Sequence, residues 1–122
     1  HNISLEGQTI DQIGKKILNT FNKKRVFILA PVIKEQKGEH LNLFNDLLMK
    51  GYVRVTVNGA VYDLSDQIKL DKNKKHSISI VIDRLTIDLK NNSRLIQSLE
   101  TCVSESNGLV SGRAHKSPSR PN

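Results

Sequence analysis

The sequence predicts an α+β domain: a mixed, largely antiparallel sheet with a β-hairpin and about three helices packed mainly on one side. Three observations predict it. Apolar residues recur at helical spacing in three separated segments; Asn58 and Gly59 join two alternating runs; and Ile78, Ile80 and Ile82 alternate with Ser77, Ser79 and Val81. The expected order is helix, strand, helix, hairpin, strand, helix, with Leu109 and Val110 as a candidate closing edge strand.

Thr9 with Gln12 three residues later is a capping-box pattern, in which the hydroxyl and the side-chain amide satisfy open backbone donors at a helix start. Ile10, Ile13, Ile17 and Phe21 then form one apolar stripe, and the helix is expected to end near Asn22. Val26 to Leu29 is a continuous apolar run before Pro31, too short for a helix and suited to a strand buried on both faces. A polar loop through Gln36 and Gly38 follows. Leu41, Phe44, Leu47 and Leu48 mark a second amphipathic helix, which Gly51 can end in the left-handed conformation, with Lys50 in the last turn suiting the helix dipole.

Tyr52 to Val57 alternates, with Val53, Val55 and Val57 expected inward, and Asn58-Gly59 is a strong hairpin-turn signal leading to a return strand over about Ala60 to Leu64. In the strand after residue 76, Arg84 takes the parity of the isoleucines while Leu85 and Ile87 take the other. A strict strand would bury Arg84, so the slip predicts a bulge or strand end that turns it outward. Asn91 to Ser93 can cap a third helix, with Leu95, Leu99, Cys102 and Val103 as its inward face.

At 122 residues, with 37% hydrophobic and 25% charged content, the chain fits a single domain, and five aromatic residues without Trp require an aliphatic core. The net charge of +7 invites a nucleic-acid reading, but three of the 19 basic residues, Arg113, Lys116 and Arg120, lie after residue 110, leaving 16 against 12 acidic residues before it. That excess suits an acidic protein partner as well as DNA. Residues 111–122 read as a polar basic tail, a candidate for disorder or foreign origin. One cysteine excludes an internal disulfide and a paired-thiolate metal site, and no run approaches a membrane span. The expectation is a soluble cytoplasmic chain whose abrupt start marks an excised piece.

No catalytic set is expected. Gly14-Lys15 lacks the spacing of a phosphate loop, the four histidines are scattered and expected at the surface, and Glu35 with Glu39 reads as a solvated turn between Lys34 and Lys37. Cys102 is expected in the core among Leu95, Leu99 and Val103. Lys50, Lys72, Lys74 and Lys75 are candidate contacts to an acidic partner or to DNA, and Lys23, Lys24 and Arg25 join them in the DNA reading. Arg54, on the polar face of a strand, and Arg84, at the phase slip, offer rigid donor forks for carboxylates. On chemistry alone, two readings stay open for them: partner binding, or surface ion pairs with Asp63, Asp66 or Asp83.

Five ordered blocks add a resemblance: Arg25 to Lys34, Lys37-Gly38-Glu39-His40, Gly51-Tyr52-Val53-Arg54-Val55, Lys74-Lys75-His76-Ser77-Ile78, and Val81-Ile82-Asp83-Arg84. In that order they resemble the partner-binding insertion of the UvrA family, the damage-sensing ATPases of bacterial nucleotide excision repair. Asn2 to Gln12 resembles the family's approach to the insertion, Ser98 to Thr101 its closing helix, and the likeness covers roughly residues 2–110. The resemblance implies a UvrB-binding domain over residues 1–110, in which Arg54 and Arg84 match the family arginines that contact acidic side chains of UvrB. It implies ATP and zinc for the full-length protein, none of whose motifs lie here, so no cofactor is expected for this chain. The expected activity is docking of UvrB, with direct contact to the DNA phosphate backbone as the alternative.

Overall fold

A computed structural model describes residues 3–4, 8–106 and 113–116. The elements are β1 (Ile3–Ser4), α1 (Ile10–Thr20), β2 (Arg25–Lys37), α2 (Leu41–Met49), β3 (Arg54–Val57), β4 (Ala60–Asp63), β5 (Lys75–Thr86), a 3₁₀ turn (Leu89–Asn91), α3 (Asn92–Ser106) and β6 (Arg113–Lys116). The strands form one sheet in the order β1-β6-β2-β5-β3-β4, antiparallel at each described pairing. The α+β class is as expected. The boundary expected at residue 110 lies outside the described residues, as do Leu109 and Val110; beyond it, Arg113–Lys116 pair with β2.

The helices cover one face of the sheet. Val26, Ile28 and Ala30 of β2, Val55 and Val57 of β3, and Ile78, Ile80 and Leu85 of β5 share a core with Ile13 and Ile17 of α1, Phe44 and Leu47 of α2, and Leu95, Leu99 and Cys102 of α3. Among the described residues, the opposite face carries a small cluster of Phe27, Leu29 and Val61, with Val81 packed against it. Because β2 is central, successive residues from Val26 to Ala30 are all buried. That explains why its apolar run is continuous.

Local signals set the helix ends. The Thr9 hydroxyl accepts from the Gln12 amide at 3.1 Å, and Gln12 Oε1 accepts from the Thr9 amide at 3.0 Å. Gly14 serves helix packing, since a Cβ there would meet Ile96 Cδ1 of α3 at 2.9 Å. Gly51 ends α2 with φ +96°, and Asn58 and Gly59 turn the hairpin with φ 52° and 89°, as a type I′ turn demands.

Three details depart from the sequence expectation. β2 runs on through Pro31 to Lys37 where a loop was expected, because Pro31 lies beyond the reach of β6, which pairs with residues 26–29, and register shifts absorb the rest. At Glu35, whose φ is 51°, the backbone amide is satisfied by Ser77 Oγ at 3.1 Å. Val53 and Val103, expected inward, are 61% and 49% exposed; β3 begins one residue after Val53, and Ser98 and Ser106 are buried on α3 instead.

Candidate functional site

The phase slip in β5 is a bulge at Ile82: Asp83 pairs with Ile28 and Val81 with Leu29, leaving Ile82 unopposed. Before it, His76, Ile78 and Ile80 face the helices; after it, Leu85 does, and Arg84 emerges exposed on the opposite face. Arg84 lies directly across from Phe27, and its guanidinium carbon is 5.6 Å from the centre of that ring. No described carboxylate lies within ion-pair distance of it.

Asp83, the acid next to Arg84, is occupied elsewhere. It points toward α3, where Arg94 Nε and Nη2 donate to its two oxygens at 2.8 and 2.6 Å and Ser98 Oγ donates at 2.8 Å. The Arg84 backbone amide also donates to Asp83 Oδ1 at 2.8 Å. The Arg94 hydrogen bonds, offset in part by burial, hold the Asp83 carboxyl below the usual carboxylate range, and Arg94 is raised in turn. An ion pair between Asp83 and the Arg84 guanidinium is therefore not formed.

Arg54 opens β3 opposite Asp63 of β4, and its Nε donates to Asp63 Oδ1 at 3.1 Å with the Arg54 side chain 34% exposed. One of the ion pairs weighed from the sequence thus exists. It is a single-point contact through Nε, and no other described carboxylate is within ion-pair distance of this guanidinium. The two Nη groups, which form the bidentate edge of the fork, are left for an external anion.

Arg54 and Arg84 come together. Val55 faces the helices opposite Ile80, so Arg54, one residue earlier, emerges on the same open face as Arg84. Both line an open cleft of about 370 Å³ together with Arg25, Asp83, Val53 and Val81. Arg25 was legible only as part of a basic run with Lys23 and Lys24; β2 begins at Arg25, which parity aligns with Phe27, whereas Lys23 and Lys24 lie in the preceding turn.

The lysine candidates do not join this cleft. Lys50 Nζ pairs with Glu105 Oε1 of α3 at 3.3 Å, and Glu105 also accepts from the Tyr52 hydroxyl, which burial and then this bond push up from its ordinary value. Lys72 and Lys74 are exposed in the loop before β5, and Lys75 starts β5 opposite Lys37. At about 3.3 Å per residue, Lys75 lies roughly 30 Å along the strand from Arg84. His76 is a correction to the expected surface histidines: it is buried, with Nε2–H donating to the Asp71 carbonyl at 2.8 Å and Nδ1 accepting from Asn58 Nδ2 at 3.1 Å. Among the described residues, no three His, Cys, Asp or Glu side chains are grouped to hold a metal ion, and no helix is long and apolar enough to cross a membrane.

Residues 8–116 match the family described as the UvrA interaction domain. The chain is 43% identical over 110 residues to the UvrABC system protein A of Pseudomonas putida, covering 90% of this chain and 12% of that protein. It is 40% identical over 108 residues to that of Listeria monocytogenes serotype 4b, covering 88% and 11%, and 45% identical over 109 residues to that of Mycoplasma genitalium, again 88% and 11%. The chain thus spans about a ninth to an eighth of the length of these relatives.

Proposed function

Because this chain belongs to the UvrA interaction domain family, we propose that it is the part of a bacterial nucleotide excision repair ATPase that docks UvrB, with Arg54 and Arg84 receiving UvrB carboxylates in the cleft on the open face of the sheet. The observation that carries this reading is the convergence of the two arginines, 30 positions apart in sequence, on one cleft. Helices packed on one side hold the sheet rigid behind the strand ends that carry Arg54 and Arg84, which suits recognition by preorganised charge.

Arg54 contributes a fork whose stem is fixed by Asp63, and Arg84 a fork resting on Phe27. Pairs of this kind at a partly exposed site steer encounter and are screened by salt, so binding should be fast and reversible. Release matters as much as capture for a protein that loads a partner onto damaged DNA. ATP hydrolysis, zinc binding and the main DNA contacts belong, in this reading, to the remainder of the protein, which would act in the cytoplasm.

The alternative, a basic module on the phosphate backbone, relies on Lys23, Lys24, Arg25 and Lys72 to Lys75. It is weakened by the separation of the loop lysines from the arginines. Titration of this chain with UvrB, parent against Arg54→Ala and Arg84→Ala, tests the docking reading; binding of both variants at parent affinity would remove the two arginines from it.

A further inference from the structure

We infer that Arg25 is a third anion-binding group of the cleft, so that the docking segment of the partner carries a carboxylate opposite Arg25 in addition to those met by Arg54 and Arg84. This rests on the docking reading above and names the chemistry of the segment recognised: an acidic stretch of polypeptide with three carboxylates within reach of one cleft.

Arg25 opens β2 opposite Thr86 and so lies diagonal to Arg84 across the ladder, a backbone separation of about 7–8 Å. Its side chain is exposed, lines the cleft and has the parity of Phe27. Two guanidinium groups lining one cleft repel each other, and no described carboxylate lies within ion-pair distance of either. Asp83 is taken by Arg94 and Ser98, and Asp63 by Arg54. An anion from outside relieves the repulsion. Val53, Val81 and Ile82 line the same cleft, a surface on which the methylenes of Asp and Glu side chains can pack and a sugar-phosphate backbone gains little.

The test titrates this chain with UvrB at low and moderate salt, comparing the parent with Arg25→Ala, Arg25→Lys, Arg54→Ala and Lys24→Ala, with thermal unfolding of each. Arg25→Ala should weaken binding about tenfold or more at unchanged Tm, and Arg25→Lys should recover only part of the loss, because an ammonium lacks the fork. Lys24→Ala, outside the cleft lining, should bind like the parent. If Arg25→Ala binds like the parent while Arg54→Ala is weakened, the inference is overturned and the docking reading stands; if the parent does not bind UvrB, both fall. Loss of duplex DNA affinity by Arg25→Ala, without loss for UvrB, would overturn it in favour of phosphate contact. Should Arg25→Ala lower the Tm, Arg25→Gln, which keeps more of the stem, replaces it.

Discussion

Arg84 and Phe27 face each other across the β2–β5 ladder, with the guanidinium carbon 5.6 Å from the ring centre. The contact orders a long side chain without using any of its hydrogen-bond donors, so the fork is held in place and remains available. A cation–π contact at an exposed site is worth about 0.5–1 kcal/mol. Arg84→Ala should therefore cost UvrB binding about 2 kcal/mol or more if a partner carboxylate is left unpaired, while Phe27→Leu should cost only a few-fold in affinity, as a preorganisation effect. Calorimetric titration of both variants checks the ranking, and a larger loss for Phe27→Leu at unchanged Tm would reverse it.

Asp83 sets the phase of β5 by accepting from Arg94 and Ser98 on the helix side while Arg84 turns to the other. Its carboxyl is lowered in the folded chain, so its stabilisation is fully present above the unfolded value near 4 and fades as pH falls through the folded value. Asp83→Asn should cost about 1–3 kcal/mol at pH 7. Thermal unfolding of parent and variant should show the gap narrowing as pH is taken from about 5 toward 2; a gap constant with pH would mean the charge is not what holds the bulge.

The outward turn of Arg84 was legible because parity must fail somewhere between Ile82 and Leu85, although the bulge itself falls at Ile82. The hairpin, the capping box and the left-handed Gly51 were legible for similar reasons: each is a local rule tied to particular residue types. The length of β2 was not, because Pro31, Glu35 and the flanking lysines carry loop chemistry, and what keeps them in the sheet is pairing with β5, with the Glu35 amide satisfied by the Ser77 side chain 42 positions away. Arg25 was hidden by its neighbours, since a basic run looks uniform until the strand boundary places Arg25 in β2 and leaves Lys23 and Lys24 in the turn before it. His76 was hidden because its partners, Asp71 and Asn58, are polar residues that signal turns.

Gly14 lets α1 approach α3 closely. Alanine there gains roughly 0.5–1 kcal/mol of helix propensity but places a Cβ 2.9 Å from Ile96 Cδ1. Gly14→Ala should be neutral to mildly destabilising in the parent and stabilising in an Ile96→Val background, which removes that methyl. Denaturant unfolding of the four-member cycle measures the coupling; additivity within error would show that the contact does not limit the packing.

Asn58 does more than permit a left-handed turn. Its Oδ1 accepts from the Ser77 amide at 3.0 Å, and its Nδ2 donates to His76 Nδ1 at 3.1 Å, so one side chain links the hairpin tip to β5 and to the loop held by Asp71. With Oδ1 committed to an amide donor, the amide group cannot flip, and His76 Nδ1 must be the acceptor. Asn58→Gly keeps the φ of 52° at no steric cost and removes only these two bonds, leaving His76 Nδ1 buried without a partner; it should lose about 1–3 kcal/mol. Asn58→Ala removes the same bonds and adds the left-handed penalty, so it should be less stable again by about 1 kcal/mol. Urea denaturation of the pair separates the two contributions, and an Asn58→Gly variant as stable as the parent would reduce Asn58 to a turn residue alone.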